Sequence, residues 1–368
     1  MLKSDQQPGM SVLVCTYNGA DRIAKTLTHL ACQKVASNLQ WEIILVDNAS
    51  TDNTLEVATI SWASQAVMVP LRPYVQPKPG KNHALELAYN EAKYSYMCIV
   101  DDDNWLAPDY VQNGFDILES HPEVGLLGGR TTGAFEVEPP AWFPQYQHYY
   151  AVGTPVLYDG DVPRPVDDGP VVDFELWGAG LFVRRSIWEE MTKLNFESLL
   201  SGRKGKDLVA GEDHELCYVA RLLGYTLWYS SSLSLVHFMT KARLTTKYRD
   251  QLLRACVIGS LQLLPYKYAM LNKKGKPNVA LDVLKDFCYI ELFTIRNIFS
   301  ANYLGFLFGK EKTSFIANNI HVVYIYKFFS DIKNITNNYK KVLGFKYKTI
   351  ALRENKNTMI NRLEITKS

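Results

Sequence analysis

The sequence predicts an α/β fold: a mostly parallel sheet flanked by helices, followed by a mainly helical, basic C-terminal region. Three observations carry this. Short apolar, β-branched runs alternate with stretches of helical spacing through the first half of the chain. The ends of those runs are polar and acidic, at the edge where open parallel sheets take ligands. Beyond about residue 240 the alternation stops and the composition turns basic.

Residues 10–15 (MSVLVC) read as the first strand. Residues 21–32 have helical spacing, with Ile23, Leu27 and Leu30 on one side. Residues 42–46 (EIILV) are a second buried strand, and 51–64 a helix capped by Asp52. Residues 66–69 read as a third strand, 83–93 as a helix and 96–100 (YMCIV) as a fourth strand. Pro108 opens the next helix at its first turn, where a missing N–H costs nothing. Residues 124–127 are a fifth strand. Apolar strands that alternate with helices build sheets covered on both faces. Their carboxyl ends carry Thr16-Tyr17-Asn18, Asp47-Asn48 and Asp101-Asp102-Asp103.

From 133 to 170 the pattern changes to a proline-rich excursion with Trp142, Phe143, Tyr146, Tyr149 and Tyr150. Long insertions of this kind are often functional. Regular elements resume with a strand at 180–183, a Gly- and Lys-rich loop at 199–211 and a helix at 212–223. Two strand-like runs follow, 226–229 and 233–236. The polar end from Asn355 reads as frayed. There is no internal repeat.

The chain has 368 residues, 47% of them apolar, too many for a disordered protein. Its 40 Lys and Arg against 38 Asp and Glu leave a net charge of +2, which speaks against a dedicated nucleic-acid coat. That small total is a cancellation. Residues 1–240 carry 17 basic and 30 acidic side chains, net −13, and residues 241–368 carry 23 and 8, net +15. The division suggests a catalytic domain over 1–240 and a basic region over 241–368. Six cysteines form no CxxC pair and mostly lie in apolar runs, so a zinc site or disulfide framework is not expected. The segment MLKSDQQPGM has no signal-peptide core, and no run approaches the ~18 apolar residues of a spanning helix. The expectation is a cytoplasmic protein with reduced thiols.

Three acid groups stand out. Asp101, Asp102 and Asp103 close a buried strand, and adjacent carboxylates repel unless they are solvated or neutralised. Mg²⁺ and Mn²⁺ favour oxygen donors and often combine one or two carboxylates with substrate phosphates. The run is therefore either a metal–diphosphate site or a solvated loop in which Asp103 or Asn104 caps the next helix. Asp47 ends another strand, placed either to accept from a nucleobase or ribose or, with Asp52, only to form turns and caps. Gly211-Glu212-Asp213-His214-Glu215 puts acids at a helix start, where they either complement the dipole or supply a general base for a sugar hydroxyl.

Taken in order, these segments resemble a family 2 glycosyltransferase of the GT-A fold. The set is Thr16-Tyr17-Asn18 after its strand, Val46-Asp47-Asn48-Ala49-Ser50-Thr51-Asp52, Asp101-Asp102-Asp103, Trp177-Gly178-Ala179-Gly180, Gly211-Glu212-Asp213 and the later His237. The resemblance covers about 10–240. It implies an inverting, metal-dependent transfer from a nucleotide sugar. Thr16, Tyr17 and Asp47 would hold the base and ribose, and Asn18, Asn48, Asp101 and Asp102 would join them in binding the nucleotide sugar. Asp101 and Asp103 match the outer positions of a DxD motif, with Asp103 the direct ligand of Mn²⁺ or Mg²⁺. His237 either completes that site or is structural. Asp213 matches the catalytic base, with Glu212 beside it. Lys81 and Arg203 would face the diphosphate, or are solvated loop residues. Trp177, Gly178 and Trp142 would bind the acceptor, or the two tryptophans belong to the core.

Segments 289–308 and 315–329 mix aromatic and apolar residues with sparse basic ones. They either meet an anionic membrane, which suits a lipid-linked acceptor, or pack on the acidic domain. A sugar-phosphate nucleotidyltransferase is the competing enzyme class, but its Gly-rich basic loop is replaced here by Cys15-Thr16-Tyr17-Asn18-Gly19. A non-catalytic carbohydrate-binding scaffold is disfavoured by the intact acids. The basic region has no recognised nucleic-acid module.

Overall fold

The computed structural model describes residues 7–154, 156–159, 162–200, 210–271, 279, 281, 283–285, 288 and 328–365. Strand and helix alternate first as β1 (Gln7–Thr16), α1 (Ile23–Ala31), β2 (Trp41–Asp47), α2 (Thr54–Ser64), β3 (Leu71–Val75), α3 (Lys81–Glu91) and β4 (Tyr94–Asp101). Then come β5 (Asn104–Leu106), α4 (Tyr110–Ser120), β6 (Val124–Phe135), the short α5 (Phe143–Tyr146) and the hairpin β7 (Val156–Asp159) and β8 (Val162–Pro165). They are followed by β9 (Gly169–Val171), β10 (Leu181–Arg184), α6 (Arg185–Lys193), α7 (Glu212–Leu223) and β11 (Thr226–Met239). Two long helices, α8 (Thr246–Leu271) and α9 (Ile332–Ile365), complete the described chain.

Nine strands form one sheet in the order β3-β2-β1-β4-β10-β6-β11-β5, with β9 on β11. β1 to β4 pair in parallel, as does β6 with β11, whereas β10, β5 and β9 run antiparallel to their neighbours. The parallel register places Thr16 opposite Asp47 and Cys15 opposite Asp101, so three strand ends lie flush on one edge. Ile23, Leu27 and Leu30 of α1 are buried in a core with Val12, Val14, Ile43, Leu45, Cys98, Val100 and Phe182. Each buried aliphatic side chain contributes about 1.5–3 kcal/mol relative to exposure.

Several elements differ from expectation. Residues 66–69 are not a strand: Met68 is 98% exposed, and the third strand is β3, two residues further on. β3 contains Pro73 and among the described residues pairs only with β2, and an edge strand tolerates a missing N–H. The runs 226–229 and 233–236 are one strand, β11, whose register against β6 shifts between Ser230 and Ser234. Within 133–170, β6 extends to Phe135 and α5 carries an aromatic cluster. There Phe143 packs on Phe135 and Tyr150, and the Arg249 guanidinium lies 5.0 Å from the Trp142 ring and 5.1 Å from Tyr146. α9 continues helically past Asn355. Cys15, Cys98 and Cys217 are buried and Cys32 and Cys288 exposed, all free.

The chain divides into two compact units. One comprises 1–189, 201–208 and 212–249; the other, 190–200, 209–211 and 250–368. In the second, Leu261, Phe328, Ile335 and Tyr339 form a small core, and Lys341 pairs with Glu197 at 3.0 Å. Among the described residues no helix is long and apolar enough to cross a membrane. Most of segments 289–308 and 315–329, and all of 201–209, lie outside the described residues.

The helix-to-sheet contact in the first unit is close enough to test. A Cβ on Gly114 of α4 would fall 2.1 Å from the Phe182 ring of β10, itself stacked on Tyr110. Gly114→Ala should destabilise the protein by about 1–3 kcal/mol through overpacking, read from urea unfolding.

Candidate functional site

The flush strand edge positions the first group of residues. Thr16 Oγ1 donates to Asp102 at 2.6 Å, joining the end of β1 to the acid run. Tyr17 is 48% exposed beside it. Asn18 takes a left-handed φ of 46°, and its Oδ1 accepts from Thr51 N at 2.8 Å. Asp47 is buried and accepts from the backbone and hydroxyl of Ser50, which in turn accepts from Asn18 N. The two loops are thus tied into one surface. Asn48 is committed to backbone: its amide donates to Gln76 O and Lys78 O and accepts from Gly80 N at 2.7 Å. That grip fixes the turn that leads into α3 and presents Lys81.

Each carboxylate of the acid run has its own cation. Lys81 Nζ lies 2.6 Å from Asp101 Oδ1. Arg22 grips Asp102 with two nitrogens, at 2.8 and 3.0 Å, and reaches back to the carbonyls of Tyr17 and Asn18. Arg243 Nη1 donates to Asp103 Oδ2 at 2.8 Å, with His237 Nε2 at 3.4 Å from Asp103 Oδ1. Phe238 N donates to the Asp103 carbonyl, and Asn104, fully buried in β5, donates to Asp103 Oδ1. The run is therefore not a solvated loop, and neither Asp103 nor Asn104 caps a helix.

Burial and neighbouring charge separate these acids. Desolvation, with the Asp103 charge beside it, pushes Asp102 up to about 6 against the opposing pull of Arg22. Burial also raises Asp103, but His237, Arg243 and Arg22 outweigh it and hold that carboxyl well below the usual range. Arg22 and Arg243 are the partners of the acid run that the sequence motifs did not mark. They pair with acids 80 and 140 residues away.

The second group converges from β10 and α7. β10 is antiparallel to β4 with Leu181 opposite Ile99, so the chain enters β10 from the side of the acid run. Gly178 lies in that approach and donates its N–H to Asp213 Oδ2 at 2.8 Å. Asp213 Oδ1 accepts from His214 N at 2.9 Å, at the start of α7. Each carboxylate oxygen has two lone pairs, so one on each remains for a substrate proton. Glu212 opens the same helix. Trp177 is half-buried beside Gly178. Trp142 stands in the aromatic cluster with Arg249 over its ring. Arg203 lies outside the described residues.

Among the described residues no three His, Cys, Asp or Glu side chains converge to hold a metal ion unaided. Two donors do face one another, Asp103 Oδ1 and His237 Nε2, and the buried Nδ1 of His237 has no partner among the described residues. That set fits a cation whose other ligands are substrate phosphates and water.

Residues 11–167 match the family model described as Glycosyl transferase family 2. The match lies within the unit that carries the sheet edge and its acids. The sheet flanked by helices, with its acids on one edge, is the α/β architecture that the sequence predicts. "Putative glycosyltransferase EpsE" of Bacillus subtilis is 29% identical over 123 residues, 33% of this chain and 42% of that protein. Chondroitin synthase of Escherichia coli is 30% identical over 125 residues, 33% of this chain and 17% of that protein. The matched stretch thus spans less than half the length of these relatives. Among solved structures, S. aureus TarS 1-349 in complex with UDP-GlcNAc has a TM-score of 0.49 at 15% identity, covering 94% of this chain and 92% of that one. The mannosyltransferase PcManGT of Pyrobaculum calidifontis in complex with GDP-Man and Mn2+ has a TM-score of 0.49 at 19% identity, covering 94% and 90%.

A raised carboxyl pKa makes folding depend on pH. Folded Asp102 holds its proton to about pH 6, whereas the ordinary value is 3.8. The folded state therefore binds more protons between those values, and stability from this group falls as pH rises through that window. The wild type should gain on Asp102→Asn as pH drops from 7 to 4, on the order of 1–3 kcal/mol, measured by urea unfolding. A pH-independent difference would contradict the assignment.

Proposed function

We propose that the chain is an inverting glycosyltransferase that moves a sugar from a nucleoside diphosphate sugar to a hydroxyl of a glycan or lipid-linked acceptor, in cell-surface polysaccharide synthesis. UDP-sugars are the first donors to test. The observation that carries this reading is the joining of two chemistries at one sheet edge. Three acids matched by three cations stand there, and Asp213 is tied by Gly178 to the strand entering from the same side.

In this reading Thr16, Tyr17, Asn18 and Asp47 surround the base and ribose, and Asn48 acts by placing the turn before Lys81. Asp103 and His237 hold a Mn²⁺ or Mg²⁺ ion, with Asp101 beside them. When bound, such an ion offsets the charge that grows on a leaving diphosphate. Lys81 stands at the same place as a further positive charge. Asp213, fixed by two backbone N–H groups, accepts the proton of the acceptor hydroxyl. The oxygen attacks the anomeric carbon on the face opposite the diphosphate, so configuration inverts. Glu212 and Trp177 border the acceptor side, with Trp142 in the aromatic excursion. The net +15 of residues 241–368 supports work in the cytoplasm against an anionic membrane surface, each nearby Lys or Arg contributing about 1 kcal/mol.

Replacing the base separates chemistry from binding. Asp213→Asn keeps the shape but accepts no proton, so kcat should fall by about 10²–10⁴ while nucleotide-sugar affinity stays within about twofold. Undiminished transfer would overturn the role of Asp213. Loss of donor binding would make it a donor-site residue instead.

A further inference from the structure

Asp103 is the acid assigned to the divalent cation in the proposed reading, and it already has a cation beside it. Arg243 Nη1 lies 2.8 Å from Asp103 Oδ2 and 3.2 Å from His237 Nε2. His237 Nε2 is 3.4 Å from Asp103 Oδ1, which closes a triangle of three mostly buried side chains. Arg243 can only donate, so the contact makes Nε2 the unprotonated ring nitrogen, which has one lone pair. Nε2 either accepts the Arg243 N–H or ligates a metal ion; it does not do both. A divalent ion at Asp103 would also stand beside a guanidinium in a poorly solvated place, where like charges repel strongly.

The hold on Arg243 is incomplete. Its buried Nε has no partner among the described residues, and an unsatisfied buried donor is unfavourable. The residue stands on a single 3₁₀ turn, Lys241–Leu244, after β11, with its guanidinium 5.7 Å from the Tyr248 ring. A phosphate group accepts from a planar guanidinium through two parallel bonds, a better match than one carboxylate oxygen and one imidazole.

We propose that Arg243 is a resident counter-ion of Asp103, which a divalent cation displaces as the guanidinium passes to the donor diphosphate. This rests on the proposed reading of the site and deepens it. Without nucleotide, Arg243 and the cation compete for Asp103 and His237, so cation binding is weakened. With a nucleoside diphosphate present, the competitor has somewhere to go, and nucleotide and cation bind with positive coupling. Coupling is reciprocal, so removing Arg243 must weaken it from both sides.

The test is calorimetric titration of Mn²⁺ into the full chain, with and without UDP, for wild type, Arg243→Gln and Arg243→Lys. Arg243→Gln should bind Mn²⁺ about tenfold more tightly than wild type without UDP, and the tightening caused by UDP should shrink by a similar factor. Arg243→Lys keeps the charge but loses the planar fork, and should fall between. Should the Gln variant fail to fold, the shift in the Lys variant decides. Equal or weaker Mn²⁺ binding by the variants, against measurable binding by wild type, overturns the counter-ion role and leaves the site assignment standing. No Mn²⁺ binding by any of the proteins, with or without UDP, overturns the cation reading of Asp103 and this proposal with it.

Discussion

Three consecutive carboxylates at the end of a buried strand are the constraint around which the first unit is arranged. Two like charges 4 Å apart repel by about 4 kcal/mol at an effective dielectric near 20, and partial burial adds a desolvation cost. The fold answers with three cations drawn from three places: Lys81 at the start of α3, Arg22 just before α1, and Arg243 after β11. Each comes from a different stretch of chain, so the neutralised acids also bind distant parts of the sheet edge together. The Arg22 guanidinium shows this most plainly. It joins the middle acid to the carbonyls of Tyr17 and Asn18, so the exposed face of Tyr17 and the acid run keep a fixed relation.

The same edge explains why some motif residues act at one remove. Asn48 stands among polar residues suited to a nucleoside, yet its side chain is spent on the backbone of the turn before Lys81. Asp47 likewise orders the loop through Ser50. Asp213 differs, because its two backbone hydrogen bonds orient the carboxylate without exhausting it. Burial and local charge then give Asp102 and Asp103 opposite tendencies despite adjacency. The middle acid is driven toward protonation, and the last is held ionised.

The sequence made the alternating core legible because β1, β2 and β4 are apolar runs ended by polar or acidic residues, and α7 was bounded by its own acidic start. It misled where local pattern and tertiary role diverge. Val67 and Val69 have strand-like neighbours, but the chain pairs only after Pro70, through a strand that contains Pro73. β5 is three residues long and holds Asn104, so it carries no periodic signal. β11 looked like two strands because its register shifts at the serines. In the site, the acids were visible as strand ends, whereas Arg22 and Arg243 were not. An arginine at a helix start or after a strand has no local mark that tells it from a surface charge. Only the fold brings it to an acid 80 or 140 residues away.

The central claim is that this charge-matched edge binds a nucleoside diphosphate sugar together with a divalent cation. The most direct measurement is thermal unfolding of the full chain against a panel of nucleoside diphosphate sugars, each with Mn²⁺ and with chelator. The account predicts that one nucleoside class raises Tm by several degrees with Mn²⁺ and much less with chelator, since a ligand at 100 times its Kd adds about 2.7 kcal/mol. A Tm unmoved by every nucleotide sugar, with or without the ion, would contradict it.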